Sequence, residues 1–113
     1  MKRGGVRLNA LIEKLVEVVL RGAAGMKYDD SVLPTALRER IPNLISRIAT
    51  QLREDSNGIL RCKVCGRGPF TKRGFYLHAK RIHSDYVSEL VREEIEGIVW
   101  EAKLGSDRGR DAG

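Results

Sequence analysis

Four side chains in one stretch have the types and the spacing to hold a metal ion. Cys62 and Cys65 are separated by two residues, His78 follows twelve residues later, and His83 after four more. Cysteine sulfur and histidine nitrogen are the donors that Zn²⁺ takes in tetrahedral sites. A two-residue gap lets a tight turn aim both thiolates at one point. Histidines five apart share a helical face if the last turn loosens. The expectation is one structural Zn²⁺ per chain, held by Cys62, Cys65, His78 and His83. A Cys62–Cys65 disulfide beside two incidental histidines is the alternative, although no βαβ pattern of a redox fold surrounds the pair.

These four are all the cysteines and histidines in the 113 residues. With every thiol and imidazole in one motif, Ser31, Ser46 and the other hydroxyls lack the partner that a catalytic triad needs. A metal with four protein ligands keeps no open position for substrate. No enzyme and no small-molecule substrate are expected. Intact thiols imply a reducing compartment, hence a cytoplasmic, nucleoid-associated protein. Leu8 to Leu20 is apolar-rich, but Glu13, Lys14 and Glu17 interrupt it, so no membrane partner is expected. The basic start Met1-Lys2-Arg3 is not followed by an uncharged core and a small-residue cleavage site, which argues against a signal peptide.

The ligands must be positioned by a turn, a short hairpin and a helix. In this respect the stretch 59–84 resembles the Cys2His2 zinc-finger family, with Cys62, Cys65, His78 and His83 in the ligand positions. Leu60 sits where that family's first strand supplies an apolar residue, and Phe75 takes the helix position that is usually Leu. Pro69 stands where an aromatic is expected and Phe70 follows, which implies an altered turn with Phe70 packing from a shifted register. The chain also resembles small single-finger proteins of hyperthermophilic archaea and their viruses. The resemblance implies that the start of the finger helix enters a DNA major groove. Thr71, Arg73, Gly74 and Leu77 would then hold the base-reading positions, and only Thr71 and Arg73 could hydrogen-bond a base edge. Such a finger specifies about 3 base pairs at most.

Charge points the same way. From Arg61 to His83 there are seven basic residues and no acidic one: Arg61, Lys63, Arg67, Lys72, Arg73, Lys80 and Arg81. Residues 85–104 carry a net −4, and the first sixty a net +3. A basic stripe beside a metal site is an electrostatic footprint for a polyanion; the bland alternative is a solvated face. The expected function is that of a zinc-stabilised nucleic-acid-binding protein, a DNA-binding transcriptional regulator whose partner is double-stranded DNA. Two other classes stay open. One is an interaction finger, with Phe70, Tyr76 and Leu77 as the contact surface. The other is an RNA- or ribosome-associated structural protein.

The remaining chain reads as mainly α. Residues 1–58 are expected to form three helices. Leu8, Leu11, Ile12, Leu15, Val16, Val18 and Val19 recur at helical spacing. Ser31 is expected to cap a second helix that runs to Arg40, and Pro42 to open a third that ends near Glu54. Asp55 to Gly58 is a turn, and Ile59-Leu60 starts a strand. Residues 6–60 thereby resemble a winged helix-turn-helix, through Ala36-Leu37, then Ile45, Ile48 and Leu52, then Gly58-Ile59-Leu60. The third helix would be the recognition helix, with Asn43, Ser46, Arg47, Thr50 and Gln51 outward; Arg47 and Gln51 are its candidate DNA contacts. A plain helical platform is the alternative. Residues 85–104 form an amphipathic helix that packs back on the N-terminal helices or pairs with a second copy in a homodimer. Trp100 is either a dimer anchor or core. Residues 105–113, polar and glycine-rich, are expected to be disordered.

Overall fold

The computed structural model describes the backbone of residues 2–112 and the side chains of residues 10–98. It is mainly helical with one small antiparallel hairpin. The elements are α1 (Lys2–Ala23), α2 (Thr35–Arg38), α3 (Ile41–Leu52), β1 (Arg53–Ser56), β2 (Ile59–Cys62), α4 (Lys72–Ile82) and α5 (Ser84–Ala112). None of the described helices is long and apolar enough to cross a membrane.

The apolar stripes read from the sequence become one core. Ile12, Leu15, Val19 and Leu20 of α1 meet Leu44, Ile48 and Leu52 of α3, and Val87, Val91 and Ile95 of α5 close the third side. Each such side chain contributes about 1.5–3 kcal/mol when fully buried. Gly22 of α1 lies so close to Ile45 of α3 that a Cβ there would collide with the Ile45 side chain. The stripe of α5 therefore packs back on the N-terminal helices, the first of the two arrangements expected. Val99 and Trp100 fall outside the described side chains.

Three expectations need correction. The second helix does not run from Ser31 to Arg40. Ser31 instead turns onto Asp29, whose carboxylate accepts its backbone N–H (2.9 Å) and its hydroxyl (2.6 Å). Helix begins only after Pro34 and lasts one turn. α3 stops at Leu52, because Arg53 is extended (φ −130°, ψ 152°) and Glu54 continues the strand. Helix also continues through residues 105–112, the stretch expected to be a disordered tail. That stretch holds no proline, so nothing in it forbids helical backbone.

The hairpin lies upstream of where the motif placed it. β1 pairs with β2 in the register Arg53↔Cys62 to Ser56↔Ile59. Asn57 (φ 56°) and Gly58 (φ 80°) form the turn between them, and both are left-handed, as a two-residue hairpin loop of this twist requires. On the other edge of β2 only one bridge forms, where the Phe70 N–H donates to the Leu60 carbonyl at 2.8 Å. Pro69 has no N–H with which to extend that pairing.

Candidate metal centre

β2 delivers Cys62 to the site, 2% exposed. The chain then turns: the Gly66 N–H donates to the Cys62 carbonyl, and the Cys62 N–H to the Arg67 carbonyl, both at 2.8 Å. Gly66 takes φ 77°, a conformation that a side chain would strain. This brings Cys65 round to face Cys62, with both thiols free rather than bridged.

α4 supplies the other side. Thr71 starts it by accepting the Gly74 N–H on its hydroxyl at 2.9 Å. Phe75, 0% exposed, anchors the helix in the core. Phe70 packs edge-on to Phe75 (centroids 6.1 Å apart) and stacks on the His78 ring at 4.7 Å. The aromatic displaced by Pro69 thus packs from the neighbouring position and orients a candidate ligand. His78 lies within the helix. His83 is its C-cap, with φ −118° and ψ 18°, and its N–H still donates to the Ala79 carbonyl at 2.9 Å. Leaving the helix at that residue brings the two imidazoles to one side, with centroids 5.0 Å apart.

The donor atoms of Cys62, Cys65, His78 and His83 all lie within 4.8 Å of one another. Cys65 Sγ stands 3.3 Å from His78 Nε2. A tetrahedral ion with bonds near 2.0–2.3 Å would put its ligands roughly 3.3–3.8 Å apart, so small side-chain rotations would complete the shell. His83 Nε2 is buried without a hydrogen-bond partner. An orphaned buried nitrogen is costly, and a metal is the partner that the surrounding donors supply.

Electrostatics fit the same use. Burial pushes the Cys62 thiol up, the backbone N–H groups of Cys65 and Val64 work against that, and the Cys65 thiol beside it adds to it. Burial, the neighbouring His83 and the charge of Arg67 all push His78 below the ordinary histidine value, a direction that favours the neutral imidazole. A cation between these groups would favour the ligating forms, thiolate and neutral imidazole.

A second cluster, invisible in the sequence, docks α4 onto α1. The Tyr76 hydroxyl donates to Glu17 at 2.6 Å and accepts from Lys80 at 3.1 Å. The Glu17 carboxylate also takes Arg21 at 2.7 Å and Lys80 at 3.4 Å. Arg21 and Lys80 stand over the Tyr76 ring at 5.1 and 5.4 Å. Burial works against ionisation of Glu17, but Tyr76, Arg21 and Lys80 outweigh it and hold the carboxyl below its ordinary value. A lowered carboxyl stabilises the fold above its unfolded value, and that stability is lost as pH falls through the folded one. Tyr76→Phe should therefore cost about 1–2 kcal/mol near neutral pH. The loss should shrink when Glu17 is replaced by Ala as well, as chemical denaturation of the single and double variants near neutral pH would show. An equal loss in both backgrounds would mean that the hydroxyl does not act through Glu17.

The structure divides the expected contact residues. Arg61, Arg67, Lys72, Arg73 and Arg81 are exposed, and none of them makes a side-chain hydrogen bond or ion pair among the described residues. Lys63 instead donates to the Thr50 carbonyl at 2.8 Å, and Lys80 is held by Glu17 and Tyr76. Thr71 is the helix cap. Arg47, its side chain 69% exposed, pairs with Glu94 of α5 at 3.3 Å, and the Gln51 amide donates to the Arg47 carbonyl at 3.4 Å. Tyr76, 6% exposed, faces α1 instead of joining Phe70 and Leu77 in an outward contact surface.

Fold and site together define a mainly helical protein with a two-cysteine, two-histidine candidate metal centre at the edge of its core. No family model, curated protein or solved structure matches the chain.

Proposed function

We propose that Cys62, Cys65, His78 and His83 hold one structural Zn²⁺, and that the chain is a DNA-binding protein whose occupancy of duplex DNA affects transcription. Sulfur and imidazole donors in equal number suit zinc. Bound there, the ion would act as a cross-link between the Cys62–Cys65 turn and α4, and it would have no position left for substrate. No enzymatic step is part of this reading.

The observation that carries it is the group of five exposed basic side chains without partners among the described residues, Arg61, Arg67, Lys72, Arg73 and Arg81. They belong to the same segment as the four candidate ligands, and that segment holds no carboxylate. Phosphates are the partners that such a surface lacks. Two features weaken the interaction-module reading: Tyr76 is turned inward, and Val87, Leu90, Val91 and Ile95 of α5 are already covered, although Tyr86 stays exposed.

Titration of the metal-loaded protein with random duplex DNA across a range of salt tests the proposal. Five phosphate contacts predict a slope of log K against log[salt] of roughly −4 to −5. Tighter binding to structured RNA than to the duplex would favour the RNA-associated role. No binding to either would remove nucleic acid from the account.

A further inference from the structure

We infer that the chain holds duplex DNA through its phosphates alone and reads no sequence; this rests on the DNA-binding reading above. Reading a base edge takes a polar side chain that is free to enter a groove. On α4 the free polar side chains, Lys72, Arg73 and Arg81, are all cations, which phosphates satisfy as well as bases do. Gly74 has no side chain, Leu77 is half-buried and apolar, and the Thr71 hydroxyl is occupied by the Gly74 N–H. Of the four reading positions only Arg73 keeps a free polar group, and one guanidinium at one position does not specify a site.

α3 does not supply the rest, because the outward face of this helix lies in a neutral surround. On one side a hollow is lined by Arg40, Arg47, Glu93 and Glu94. On the other side a second hollow is lined by Arg53, Lys63, Glu54 and Asp55. In each, two carboxylates balance two basic groups, so no net positive potential draws phosphates to this helix. Three of its polar side chains are also turned onto the protein: Arg47 onto Glu94, the Thr50 hydroxyl onto the Ser46 carbonyl at 2.8 Å, and the Gln51 amide onto the Arg47 carbonyl. Asn43 and Ser46 stay exposed, but each lines one of the two charge-balanced hollows. A helix seated in a major groove would instead need phosphates on both flanks, where these carboxylates stand. α3 is therefore scaffold. The DNA-facing surface is the basic one made by the end of β2, the metal turn and the exposed side of α4. Such a surface suits a protein that coats or bridges duplex DNA, not one that finds an operator.

Repeated selection of the metal-loaded protein on a random duplex library tests this, together with an Arg47→Ala/Gln51→Ala variant. The expected result is sustained binding with no enriched motif. Affinities for unrelated duplexes should agree within about threefold, and the double variant should bind within the same range, where one specifically read base pair alone is worth tenfold or more. A recovered motif overturns the inference, as does a loss of tenfold or more in the double variant. Failure to bind any duplex is a different outcome, and it would remove the DNA-binding reading itself.

Discussion

Stripping the metal should unfold the whole protein, not only residues 59–84. The boundary drawn at residue 58 from sequence predicts a finger that melts alone and leaves the N-terminal helices standing. The core does not respect that boundary. Leu60, Cys62, Phe75 and Ala79 belong to the same buried cluster as Leu15, Ile48 and Val91. Glu17 of α1 and Tyr76 of α4 are joined besides. Structural zinc contributes about 10–16 kcal/mol of apparent binding energy at neutral pH. A domain of this size has only about 5–15 kcal/mol of net stability. A chelator, or His83→Ala, should therefore abolish most of the helical circular dichroism in one cooperative step, and readdition of Zn²⁺ to the unaltered chain should restore it. Acid should do the same. His78 is held below the ordinary histidine value of 6.5, so stability falls as pH drops below that value. Protonation of the ligands then releases the metal. Hydrogen exchange showing α1 and α3 still protected after chelation would mean that the helical core stands without the site.

The second large effect is on DNA. A variant with Arg67, Lys72, Arg73 and Arg81 all changed to Gln should bind duplex DNA about a hundredfold more weakly at low salt. Each lost contact should flatten the salt slope by about 1. These side chains are exposed and make no pairs among the described residues, so the melting temperature should hardly move. The informative control is Lys63→Gln with Lys80→Gln. Both charges are equally basic in sequence, but the first bonds Thr50 and the second Glu17. That pair should cost stability and leave the slope nearly unchanged. Equal flattening by both variants would show that the division between free and engaged cations is not the one that matters to DNA.

That division was not legible in the sequence, and the reason is physical. The candidate ligand set Cys62, Cys65, His78 and His83, which the structure brings together, was readable because a metal site constrains both residue type and spacing within one short stretch. The helical stripes of α1, α3 and α5 were readable because apolar burial imposes a period. The Glu17–Tyr76 bond joins residues 59 apart, and no local pattern marks either as the other's partner. Lys63 reaches a carbonyl 13 residues back that no motif marks, and the engagement of Lys80 depends on the Glu17–Tyr76 pair. The upstream hairpin is a different kind of miss. Asn57-Gly58 is a strong hairpin signal in its own right. The family resemblance points instead to the other edge of β2, where the Leu60–Phe70 bridge alone forms. The one-turn α2 shows local competition: the Ser31 hydroxyl, the group that would have capped a helix, is turned back onto Asp29.

Native mass spectrometry of the protein purified under reducing conditions tests the central claim most directly. The account predicts one species, at the chain mass plus one zinc less two protons, because both thiols ligate as thiolates. On acidification it should lose the metal and unfold together, with a shift to higher charge states. A folded species at the bare chain mass would contradict the account, as would one lighter by two hydrogens with Cys62 and Cys65 joined in a disulfide.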